Sequence, residues 1–89
     1  MNITMMDILA CPIDKNYPLE LFEIEKKENT VLEGVLFCSK CSRFYPIIEE
    51  IPIMLPDELR DKKQEMEFLN NNKSLLPEKI ITKANPWHL

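Results

Sequence analysis

Two short turns with the same internal spacing constrain this chain more than any other feature. Cys11-Pro12-Ile13-Asp14 and Cys38-Ser39-Lys40-Cys41 each set two metal-competent side chains three positions apart. A tight turn aims such a pair at one point, and two facing turns supply four donors in a tetrahedral array. Cys11, Asp14, Cys38 and Cys41 are therefore the candidate metal ligands. Closing them on one ion would tie the N-terminus to the middle of the chain, in the manner of a zinc ribbon. A carboxylate is a legitimate zinc ligand but an uncommon one in structural sites, so two readings stand side by side. In one, the ribbon holds zinc; in the other it is empty, its cysteines serving as small buried hydrophobes. No histidine neighbours either turn, which argues against a catalytic zinc. A Cys38–Cys41 disulfide would belong to an organism with oxidised intracellular proteins.

The 89 residues are expected to form one domain, residues 1–89, small enough that a metal or a partner would add needed stability. A hydrophobic share of 45% with 29% charged residues is that of a globular chain. Eleven basic against fifteen acidic residues give a net charge of -4, which speaks against unaided tight binding to nucleic acid, where basic surface supplies most of the affinity. No apolar run reaches the roughly 20 residues needed to cross a bilayer. The N-terminus lacks a basic stretch before a sustained apolar one, and three cysteines at metal-like spacing fit a reducing compartment. A cytoplasmic location is expected.

The fold class read from the pattern is α+β. A small antiparallel sheet of three to four strands, zinc-ribbon-like, carries a short N-terminal helix and a C-terminal helical segment. Thr4-Met5-Met6-Asp7 has the form of a capping box, ahead of a short helix over 5–10. Strands are expected over 18–26 and 30–38, joined by a polar turn at 27–29. Alternation in the first is imperfect: Leu19 and Leu21 share one parity, Phe22 and Ile24 the other, which calls for a bulge or for a sheet covered on both faces. Gly34, the only glycine, sits inside the second strand and marks a bulge or a close backbone approach. A third strand is expected over 43–48, and a fourth over 51–55 that Pro52 confines to an edge. Asp57 is placed to cap a helix over 58–71, with Leu59, Met66 and Leu69 on its inner face and a Glu58–Lys62 pair outside. A second apolar piece at 75–82 is a short helix or a strand. Trp87 is expected to fold back onto the domain, and His88 to be a solvated tail residue.

Nothing in the chain assembles for catalysis. There is no Ser/His/Asp or Cys/His set, no glycine-rich phosphate loop, and no cofactor turn after a strand. Glu49 and Glu50 read as solvated turn residues. The apolar run after the second knuckle, by contrast, is large for so small a domain. Ile47 and Leu55 are expected in the core, whereas Ile48, Ile51, Pro52, Ile53 and Met54, extended by Met5, Met6 and Phe44, form the candidate partner-binding surface.

Four blocks of sequence resemble a known family: Asp7-Ile8-Leu9-Ala10-Cys11-Pro12, Glu33-Gly34-Val35-Leu36-Phe37-Cys38, Arg43-Phe44-Tyr45-Pro46-Ile47 and Ile51-Pro52-Ile53-Met54-Leu55-Pro56. The family is that of the small activator subunits shared by methyltransferases acting on tRNA, ribosomal RNA and translation release factors in archaea and eukaryotes; small bacterial proteins share a related pattern. The resemblance implies a non-catalytic subunit in a heterodimer. Its catalytic partner supplies the S-adenosylmethionine site, this chain alone binds none of that cofactor, and any nucleic acid is met only through the partner. The chain departs from the family at Asp14, where zinc-binding members have a second cysteine, and at Glu50, where glycine is usual; an extended backbone there would tolerate glutamate. A free-standing ribbon that binds nucleic acid directly is the runner-up, disfavoured by the acidic balance. A rubredoxin-like iron carrier would need four cysteines, and there are three.

Overall fold

The computed structural model describes every residue except Ile8 and Pro18, and for Asp7 the backbone alone. Its centre is a four-stranded antiparallel sheet in the order β1 (Glu20–Lys27), β2 (Thr30–Phe37), β3 (Phe44–Ile48), β4 (Ile51–Pro52). A 3-10 turn, Ile3–Asp7, precedes it. After it come a second 3-10 turn, Asp57–Leu59, and two helices, α1 (Lys62–Asn71) and α2 (Glu78–Lys83).

Both accounts of the irregular alternation hold at once. The β1–β2 register shifts between Glu23 and Glu25 and again before Lys26, so that Lys26 faces Val31. The slip moves Val31 to the face of Leu36. The sheet is also covered on both sides. Phe22, Ile24, Val35, Phe37, Phe44 and Ile48 meet Phe68, Leu69, Leu76, Ile80, Ile81 and Ala84 from the C-terminal helices and the residues around them. Leu19, Leu21, Leu36, Tyr45 and Ile47 on the opposite face meet Met1, Met5, Met6, Leu9 and Cys11. With both faces occupied, the strand edges are what remains open. The β1 edge is blunted by exposed Glu23, Glu25, Lys26 and Lys27, the usual defence against unwanted pairing. The β4 edge is apolar.

Several expectations are corrected. The N-terminal helix is a single 3-10 turn whose Thr4 amide is capped by the Asn2 side chain at 2.9 Å; the Asp7 half of the expected capping box lies outside the described residues. β4 is two residues long rather than five: past Pro52 the Ile53 amide still donates to the Pro46 carbonyl at 2.9 Å, but Pro46 has no amide to return the bond. The long helix begins at Lys62, not at residue 58. Asp61 is its N-cap, accepting the Gln64 amide at 3.0 Å, and Asp57 instead pairs with Arg43. Leu59 therefore stands outside the helix at 65% exposure, and the Glu58–Lys62 pair is not formed. Phe44 is wholly buried among the core side chains and Leu55 is exposed, the reverse of what was expected for each. The second C-terminal piece is a helix, and Trp87 folds back onto the core as expected.

Two elements missing from the sequence reading lock the C-terminal layer. The buried Arg60 guanidinium donates to Glu65 at 3.1 Å and to the Phe44 carbonyl. It also lies over the rings of Phe44, Tyr45 and Trp87 at 4.8, 5.1 and 5.6 Å. A ring–cation contact of this kind contributes roughly 2 kcal/mol when desolvated. The tail then pairs with the start of β3, Phe44 donating to the Asn85 carbonyl at 3.0 Å.

The backbone makes two positions testable. An added Cβ at Gly34 would lie 2.7 Å from the Phe22 carbonyl oxygen, a clash with backbone that cannot yield cheaply. Glu49 and Glu50 form the two-residue β3–β4 turn with φ of 49° and 71°, so the backbone at Glu50 is left-handed rather than extended, and glycine is favoured there. Gly34→Ala should destabilise by about 1–3 kcal/mol, and Glu50→Gly should stabilise by up to about 1 kcal/mol, read as opposite shifts in urea midpoint. Shifts of the same sign would contradict the stated backbone geometry.

Candidate metal centre

The two knuckles are built alike. In the first, the Lys15 amide donates to the Cys11 carbonyl at 2.9 Å, and the Cys11 amide donates to Asn16 at 3.0 Å. In the second, Ser42 donates to Cys38 at 2.8 Å, and Cys38 donates to Arg43 at 2.9 Å. The residue closing each turn, Lys15 or Ser42, has a left-handed backbone with φ of 64° or 61°. The same ring of hydrogen bonds thus puts Asp14 where the second knuckle has Cys41.

One donor atom from each of Cys11, Asp14, Cys38 and Cys41 lies within 4.8 Å of all the others, so the four predicted residues are brought together. Bonds of about 2.3 Å to sulfur and 2.0 Å to oxygen at tetrahedral angles imply edges of about 3.8 Å between sulfurs and about 3.5 Å between sulfur and oxygen. Cys11 Sγ to Cys41 Sγ is 3.8 Å, and Cys38 Sγ to the two Asp14 oxygens is 3.5 and 3.6 Å. The donor set and its spacing fit a metal ion. All three cysteines are free thiols, without a Cys38–Cys41 disulfide.

The electrostatics are uneven around the cluster. The Asn16 amide, donating to Asp14 at 2.9 Å, outweighs desolvation and, with the neighbouring thiols, holds the Asp14 carboxyl down to about 2. Burial pushes the Cys41 thiol up to about 11. Burial raises Cys11 too, but hydrogen bonds from the Tyr45 hydroxyl and from the Asp14 and Ile13 amides prevail and bring it below the ordinary thiol value. Tyr45 Oη lies 3.1 Å from Cys11 Sγ, and the Arg43 carbonyl closes the second knuckle by accepting the Cys38 amide. Arg43 also makes a forked pair with Asp57, Nε to Oδ1 at 3.0 Å and Nη2 to Oδ2 at 2.9 Å. Neither Tyr45 nor Arg43 stands out in the sequence as part of the site. The only hint is that both follow the second knuckle directly.

The candidate partner residues divide. Ile51 is 61% exposed; Pro52, Ile53 and Met54 beside it are half-buried. Met5, Met6 and Met54 pack on one core cluster and Ile48 on the other. Phe44, with no exposed surface, cannot touch a partner. His88 stays outside the metal cluster and bonds the Ala84 carbonyl at 3.1 Å.

A small antiparallel sheet closed by two ligand-bearing knuckles defines a zinc-ribbon-like fold. The family model for Trm112p-like proteins matches residues 2–50. A UPF0434 protein of Dechloromonas aromatica is 42% identical over 60 residues, which cover 67% of this chain and 88% of that protein. One from Methylobacillus flagellatus is 40% identical over 67 residues, 75% of this chain and 97% of the relative. Among solved structures, a chain of the complex between the Haloferax volcanii Trm112 methyltransferase activator and a protein taken to be a methyltransferase superposes with a TM-score of 0.64. It is 38% identical, and the match covers 67% of this chain and all of that one. The chain belongs to the Trm112p-like family. Helices α1 and α2 lie beyond the family match.

If the four donors act as one site, zinc added to metal-free protein should raise the melting temperature, Asp14→Ala should abolish the rise, and Asp14→Cys should keep it. The Arg43–Asp57 pair makes a separate prediction. Arg43 holds the Asp57 carboxyl below its ordinary value, so its contribution to stability is complete above the unfolded value of about 3.9 and is lost as pH falls through the lower folded one. Arg43→Gln should flatten that acid limb below about pH 4; an unchanged limb would show that the pair contributes nothing.

Proposed function

We propose that this chain is a non-catalytic activator that binds and stabilises an S-adenosylmethionine-dependent methyltransferase as a heterodimer. The single observation that carries the reading is the open apolar edge of an otherwise covered sheet. Both faces are packed and the β1 edge is charged, while Ile51, Pro52, Ile53 and Met54 line the β4 edge. A methyltransferase that covers this edge, together with Ile48, Met5 and Met6 where they remain accessible, gains apolar burial at about 25 cal/mol per Å². The Haloferax relative, a Trm112 activator in complex with its partner, supports the same role here. By family resemblance the methylated substrate is a tRNA, a ribosomal RNA or a translation factor, reached through the partner in the cytoplasm. The chain's net charge of -4 supports an indirect contact with RNA.

Within this role Cys11, Asp14, Cys38 and Cys41 would hold zinc, and the metal would supply cohesion rather than reactivity. With every ligand place taken by protein, such a site has no open position for a substrate. What the chain itself contributes is a preset edge, held between the β3–β4 turn at one end and the Arg43–Asp57 pair at the other.

The test is Ile51→Asp, because this side chain is the most exposed of the run and its replacement should cost the free protein less than about 0.5 kcal/mol. Co-expressed with the methyltransferase that co-purifies with the native chain, the variant should bind at least tenfold more weakly and leave the enzyme poorly soluble and inactive. A partner that stays soluble and active with the variant would contradict the assignment.

A further inference from the structure

The cluster carries more negative charge than a divalent ion can balance. Three thiolates and a carboxylate exceed it by two charges, and three of the four ligands are sulfurs, with all four donor atoms within 4.8 Å of one another. Two residues outside the ligand set, one against each knuckle, stand beside that excess. Tyr45 is fully buried, and its hydroxyl points at Cys11 Sγ from 3.1 Å within the sheet's core. Arg43 closes the second knuckle, its carbonyl accepting the Cys38 amide at 2.9 Å, and its guanidinium is anchored beside the cluster by the forked pair with Asp57. A phenol buried in a core needs a hydrogen-bond partner, and a cysteine sulfur is a weak acceptor unless it carries charge.

We propose that Tyr45 and Arg43 are positioning residues of the metal site. They form an outer shell that orients Cys11 and fixes the second knuckle, and offsets the surplus charge of a three-sulfur, one-carboxylate zinc centre. The inference rests on the metal reading and deepens it. Hydrogen bonds from an outer shell fix ligand orientation and tune how strongly the ligands donate. Here the shell has a further geometric effect. Asp57 follows Pro56 at the end of the apolar run, so Arg43 joins the Cys41 knuckle to the far end of the partner-facing edge.

The test uses full-length protein, with zinc and cobalt(II) as probes. Zinc affinity, measured by competition with a chromophoric chelator, should fall ten- to a hundredfold in Tyr45→Phe and in Arg43→Gln. In the cobalt-loaded proteins the sulfur-to-metal charge-transfer band should move to lower energy, because a thiolate deprived of its hydrogen bond gives up charge more readily. A merely structural role for either residue would leave that band in place. If Tyr45→Phe does not fold, Arg43→Gln decides, since its side chain is 22% exposed and outside the core. Wild-type protein that binds zinc while both variants match it in affinity and spectrum would overturn the outer shell alone. Wild-type protein that takes up no zinc would overturn the metal reading and the outer shell with it.

Discussion

The convergence of the two knuckles is the constraint on which the rest of the structure depends. It holds Cys11 and Cys38, both fully buried, against the sheet face that carries Leu36, Tyr45 and Ile47. The N-terminal strand-like contact works with it: the Ile3 amide donates to Asn29 and the Val31 amide to Met1. Without that clamp the first nineteen residues, whose described part holds one short 3-10 turn, would have little to keep them on the sheet. With it, they form one outer layer, and the C-terminal helices form the other.

A sheet covered on both faces leaves its edges for recognition, and here the two edges differ in chemistry. Charge defends β1; apolar side chains and a proline mark β4. An edge with few free amides of its own, as Pro52 imposes, suits abutment by side chains as well as strand addition. The C-terminal helices matter to this outcome because they close the face of Phe22, Val35 and Phe37, which would otherwise be a second open apolar surface. They lie past the family match.

What could be read from the sequence was what neighbouring residues decide among themselves. The knuckles, the β1–β2 hairpin, the bulge in it and the close approach at Gly34 are all of this kind, and each is found in the structure. What escaped was decided at a distance. Phe44 and Tyr45 are adjacent and both fully buried, on opposite faces, and only the presence of α1 and α2 makes the Phe44 face an interior. Leu59 fell outside its expected helix because Asp57 went to Arg43 and Asp61 took the cap, a choice made fourteen residues away. The buried Arg60–Glu65 pair, stabilised by three aromatic rings from two segments, has no local signature at all. The left-handed Glu50 is the instructive case: the departure from glycine was visible, but its conformational meaning depended on a two-residue turn that the short β4 alone creates.

On this reading a methyltransferase covers the β4 edge and leaves the C-terminal helices uncovered. Amide hydrogen exchange of this chain, free and in complex with the methyltransferase that co-purifies with it, tests that claim directly. Binding should slow exchange across residues 48–55 while α1 and α2 exchange as in the free protein. Protection concentrated on α1 and α2, with residues 48–55 unchanged, would contradict it.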